Sequence, residues 1–116
     1  MMNFEYKREV TKLKAYGQEY EIPTKTAIFA EEVNKITKRL QEAKNAAESM
    51  TAAWDGIALY IGKDETQRIF PRENLENLDT DEISAFWLAL NAASNRNTNA
   101  VINKYAPNAA IKKPVK

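Results

Sequence analysis

Asp79, Asp81 and Glu82 sit within DTDEISAFW, and three carboxylates so spaced are the first candidates for chemistry in this chain. Such a cluster suits a hard cation, because calcium takes oxygen ligands and D-x-D is part of the calcium-loop pattern. The remaining loop ligands and the turn glycine are missing, however. A helix cap with an acidic first turn accounts for all three residues. Paired carboxylates also do acid–base work in some hydrolases, but no cleft-forming pattern surrounds this pair. Composition closes other routes. The 116 residues include no histidine and no cysteine, which removes the commonest general base, thiolate zinc sites, disulfides and the Ser-His-Asp triad. The three glycines stand alone at positions 17, 56 and 62, unlike a phosphate-binding loop. We therefore expect no enzyme activity, no metal site and no cofactor.

Surfaces are the next candidates. Phe4, Tyr6, Tyr16 and Tyr20 crowd the N-terminal region, and tyrosine offers large contact area with a polar tip. The same rings suit ordinary packing of a sheet against a helix equally well; Tyr16, beside Gly17, is the one expected to be exposed, and Tyr16 and Tyr20 are candidate partner-binding residues. Charge is uneven: Asp64 to Glu82 carries seven acids against Arg68 and Arg72, and from Arg96 onward there are five bases and no acid. The plain reading is a solvated surface with a solubilising tail; the alternative is a contact in which the acidic middle or the basic tail meets another protein. Net charge is only +1, and the tail lysines lack nearby aromatics, so nucleic acid is not expected. No run approaches the ~20 apolar residues of a membrane span, and MMNFEYKREV lacks the apolar core of a signal peptide. The expectation is a cytoplasmic protein.

The elements that must carry these residues follow from spacing. Phe4, Tyr6 and Val10 alternate with charged residues as in a half-buried strand, with a bulge or break near Thr11–Lys12. Gly17 permits a tight turn, and Tyr20 and Ile22 share one face of a return strand ended by Pro23. Thr24 or Thr26 then caps a helix. Apolar residues recur at Phe29, Val33, Ile36, Leu40, Ala43, Ala47, Met50 and Trp54, a heptad stripe. Unbroken, it predicts a helix ~40 Å long at ~1.5 Å per residue, with a kink or end expected at Asp55-Gly56. Such a rod needs a second helix along it or another chain. Ile36 and Leu40 are thus candidate partner-binding residues for a homo-oligomer. Gly62 is expected to stop the apolar segment, Ile69-Phe70 forms a short amphipathic piece halted by Pro71, and Leu75 and Leu78 one turn of helix. Asp79 or Thr80 opens a last helix with a stripe at Ile83, Phe86, Trp87, Leu90 and Ala93. Asn95, Asn97 and Asn99 suggest a loosened turn before a short final helix ended at Pro107. The whole predicts an α+β, helix-dominated fold, its N-terminal β-hairpin packed on a bundle of three or more helices. One domain covers 1–106, and 107–116 forms a flexible basic tail.

This order of elements, with YGQEYEIP, the Leu59–Glu65 segment LYIGKDE and the helix opening at Asp79, resembles the small tail assembly chaperones of long-tailed (siphovirus-like) bacteriophages or prophages. The resemblance spans about residues 4–105. It implies a non-catalytic protein of the bacterial cytoplasm that holds the tape-measure protein and helps recruit tail-tube subunits. It further implies a longer form made by ribosomal frameshifting near the chain end. On that implication Lys112 and Lys113, whose codons can be a run of adenines, mark the place and are candidate partner-binding residues; the plain alternative is a solubilising basic end. The alternatives are a structural virion protein, such as a head–tail connector or tail component, and an oligomeric adaptor or regulatory protein.

Overall fold

A computed structural model describes Glu5 and residues 10–105. The alternation of Phe4, Tyr6 and Val10 falls almost wholly outside that range, as does the tail with Lys112 and Lys113. Within it, a hairpin of β1 (Lys12–Ala15) and β2 (Gln18–Glu21) precedes four helices: α1 (Ala27–Glu42), α2 (Ala46–Ile61), α3 (Lys63–Ile69) and α4 (Thr80–Tyr105). A 3₁₀ segment, Arg72–Asn77, bridges α3 and α4. The fold is α+β and helix-dominated, with the antiparallel hairpin packed on the helices.

The hairpin pairs Leu13 with Tyr20 and Ala15 with Gln18, and the Ile22 N–H adds one more rung by donating to the Thr11 carbonyl at 2.8 Å. Its two-residue turn, Tyr16-Gly17, has positive φ at both positions, 52° and 79°, as a type I′ turn requires. Tyr20 and Ile22 face inward and are buried.

The single long rod expected over Phe29–Trp54 is not formed. The helix stops at Glu42 and restarts at Ala46. Ala43 turns extended (φ −62°, ψ 135°), and Asn45 caps α2 by accepting from the Glu48 N–H at 2.9 Å. Glu48 reaches back to accept from the Lys44 N–H at 2.9 Å. This reciprocal pair is a close variant of the capping box and starts a new helix where the heptad stripe alone continues the old one. The stripe therefore folds onto itself. Phe29 stacks edge-on against Tyr60 at 5.2 Å, Ile36 lies against Gly56, and Arg39 reaches Asp55, the pattern of an antiparallel helical hairpin.

Helix α2 is the centre of the molecule. Met50, Ala52, Ala53, Trp54, Gly56, Ile57 and Tyr60 are all buried, and α1, α3, the 3₁₀ segment and α4 each pack on it. The kink expected at Asp55-Gly56 is absent, because glycine here serves close packing: a Cβ on Gly56 would lie 2.5 Å from the Trp87 ring and 2.9 Å from Ile36. Gly62, at φ 91°, does end α2. Trp54 fastens the following segment, donating its indole N–H to the Phe70 carbonyl at 2.7 Å beneath the Arg72 guanidinium, 4.7 Å from the ring centroid.

The loosened turn expected at Asn95–Asn99 is absent too. Helix α4 runs unbroken from Thr80 to Tyr105, with Ser94 and Asn97 buried on its inner side. Thr26, of the two candidates, caps α1, accepting from the Phe29 N–H at 3.0 Å. At the start of α4, Asp79 accepts from the Asp81 N–H at 2.9 Å.

Asp55 ties three elements together. Its two carboxylate oxygens accept from Arg39 on α1 at 2.9 Å and from Arg72 in the 3₁₀ segment at 2.7 Å. Partial burial alone would raise its pKa, but the hydrogen bonds from Arg72 and Arg39 outweigh that and hold it below the usual carboxylate value. A depressed folded pKa stabilises above the unfolded value, about 3.9, and that contribution fades as pH falls through the folded one. Asp55→Asn is expected to cost about 1 kcal/mol at pH 7, discounted for the partly exposed pair. Urea titrations should show the gap to wild type closing as pH drops from about 4. A gap independent of pH between 7 and 3 would refute the clamp.

Candidate interaction surface

Tyr16 stands at the tip of the hairpin, 39% exposed. Its left-handed backbone is unfavourable for a residue with a Cβ, by roughly 1 kcal/mol. The side chain explains why it is held there. Its ring meets Phe70 and Phe86 edge-on, with centroids 5.7 and 5.2 Å away, and its hydroxyl donates to Glu82 of α4 at 2.8 Å. Burial and then the Glu82 carboxylate push its pKa well above the ordinary phenol value, so Tyr16 is a neutral donor.

Tyr20 is in a different setting, only 8% exposed. Its hydroxyl donates to Glu65 of α3 at 2.7 Å and accepts from Arg68 at 3.0 Å. Burial and the Glu65 hydrogen bond raise its pKa against the opposing pull of Arg68. Glu65 is held low by hydrogen bonds from Arg68 and Tyr20. Arg68 also donates to the Tyr16 carbonyl at 3.3 Å. The two tyrosines picked out from the sequence are therefore joined, through one guanidinium, into a latch between the hairpin and α3. Tyr16 keeps exposed surface, and Tyr20 packs inward.

Ile36 and Leu40 are not part of that cluster. Ile36, 6% exposed, lies in the core, and Leu40 is half-buried against it. The stripe that carries them is covered by α2 of the same chain. A shallow groove of about 280 Å³ does run between α1 and α4, lined by Phe29, Val33, Tyr60, Asn91 and Asn95. There the Tyr60 hydroxyl donates to the Asn91 side chain at 2.7 Å.

The acidic triplet Asp79, Asp81 and Glu82 is divided among separate tasks: Asp79 holds the helix start and Glu82 takes the Tyr16 hydroxyl. Among the described residues no cluster of acidic side chains is arranged to hold a metal ion. No helix among them is long and apolar enough to cross a membrane.

One surface escaped the pattern reading. Helix α4 turns Ala85, Leu88 and Ala92 away from its buried stripe, and Leu88 is 63% exposed. A signal for it exists. No residue from Ile83 to Asn95 is charged, whereas the solvent face of a one-sided amphipathic helix normally carries charge. Attention to the inward stripe alone passes over that gap.

The fold and these surfaces define a helix-dominated α+β domain. Compared with known proteins, the chain matches no family model, no curated protein and no solved structure.

Proposed function

We propose that this chain is a non-catalytic assembly chaperone of a long bacteriophage tail. It holds the tape-measure protein in the host cytoplasm and helps tail-tube subunits gather around it. The observation that carries the reading is the order of elements behind the resemblance. The turn of YGQEYEIP closes a hairpin, LYIGKDE spans the end of α2 and the start of α3, and α4 opens at Asp79-Thr80. The test is co-expression with the tape-measure protein encoded beside this gene. At least a threefold rise in soluble tape-measure protein, with the two co-purifying, is expected. A gene neighbourhood without a tape-measure reading frame, or unchanged solubility on co-expression, rejects the reading.

A further inference from the structure

We propose that the outward face of α4 is a self-association surface on which two copies of this chain pair antiparallel about a two-fold axis near Leu88. The face is defined by position. Ala85, Leu88 and Ala92 recur at steps of three and four on the side of α4 opposite Ile83, Phe86, Leu90 and Ala93, which are buried in the core. Leu88 projects from it, 63% exposed, and the alanines either side leave room for a second helix to approach closely.

Charge decides the occupant and its direction. The neutral stretch Ile83–Asn95 is bounded by Asp81 and Glu82 at one end and by Arg96 at the other. Glu82 is engaged with Tyr16. Asp81 and Arg96 are both exposed, and neither takes part in any salt bridge formed among the described residues. A single antiparallel register places Ala85 opposite the partner's Ala92, Leu88 beside the partner's Ala89 and Asp81 opposite the partner's Arg96. It does so twice, as two-fold symmetry demands. A parallel pair would instead set like charges against each other at both ends. The face is complementary to itself in one direction only.

The contact is small beside the ~800 Å² per partner of a standard interface, so a weak dimer follows, with Kd on the order of 10–100 µM. This pairing stands or falls apart from the tape-measure reading, because its readout is self-association of the purified chain.

Sedimentation of the full chain from 10 µM to 1 mM is the test, with thermal melts confirming that each variant is folded. Wild type is expected to shift from monomer to dimer across that range. Leu88→Lys should weaken the dimer at least tenfold while leaving the melting temperature within a few degrees. Asp81→Arg and Arg96→Asp should each weaken it about fivefold, and the double exchange should restore it to within twofold. A wild-type chain that stays monomeric at 1 mM overturns the proposal and leaves the face to a partner of different sequence. A dimer indifferent to Leu88→Lys, or a double exchange no better than the singles, overturns it as well.

Discussion

Gly56→Ala is expected to destabilise the protein by about 1–3 kcal/mol, the opposite of what the same exchange does in an ordinary helix. In an unencumbered helix interior, alanine is better than glycine by about 1 kcal/mol. Gly56 lies mid-helix in α2, so propensity alone predicts a gain. The space around it reverses the sign. A Cβ there would sit 2.5 and 2.7 Å from two carbons of the Trp87 ring and 2.9 Å from the Ile36 side chain. Trp87 cannot swing clear cheaply. It is 4% exposed and its ring lies edge-on to Tyr60 at 6.0 Å. Relief must come from α1 or α4 moving off α2, which loosens packing along both interfaces. Urea unfolding measures the loss, and a variant as stable as wild type, or more so, contradicts the three-helix approach. Trp87→Leu in the same background should recover part of the loss, a coupling that a double-mutant cycle reads directly.

Ile36→Asp should unfold the chain outright, with a loss above about 4 kcal/mol. Truncating a buried isoleucine costs about 2–5 kcal/mol, and an unpaired buried carboxylate adds its desolvation. A typical domain has only ~5–15 kcal/mol in hand. Leu40→Asp should be milder, because Leu40 is half-buried and an aspartate there reaches water. Circular dichroism and one-dimensional proton spectra separate the two outcomes. A folded Ile36→Asp chain whose only change is a lower mass in sedimentation would move the residue from the core to an interface between copies.

That contrast shows where pattern reading works and where it stops. Apolar periodicity locates Phe29, Val33, Ile36 and Leu40 on one helix face, and they do share it. It is silent about what covers the face. The answer lay in Asn45 and Glu48, a polar residue with a glutamate three places on, the same signal that marks Asp79 and Glu82. The steps of three and four happened to keep phase across the break, so periodicity masked the cap. Gly56 misleads for a related reason: its backbone freedom and its missing side chain give the same letter in the sequence, and only tertiary packing says which one is used. Asn95, Asn97 and Asn99 have weak helix propensity, yet burial of Ala93, Ser94 and Asn97 carries α4 through them. The tyrosines show both sides of the limit. Exposure of Tyr16 follows from its place beside the turn glycine. Its bond to Glu82, 66 positions away, has no local signature.

The same separations order events during folding. The α1–α2 pair closes through a connection of only Ala43, Lys44 and Asn45, so its contacts form at small entropic cost. The hairpin latch joins positions 45 to 66 apart, Tyr20 to Glu65 and Tyr16 to Glu82. Its bonds bring reward only after the helices are in place to receive them. A contact made that late is absent from the transition state, so weakening it speeds unfolding and leaves the folding rate nearly untouched. Weakening Tyr16, Tyr20 or Arg68 is therefore expected to raise the unfolding rate while the folding rate stays nearly constant. The hairpin's own two-residue turn closes locally, whereas its latch onto the helices is expected to form last and to let go first.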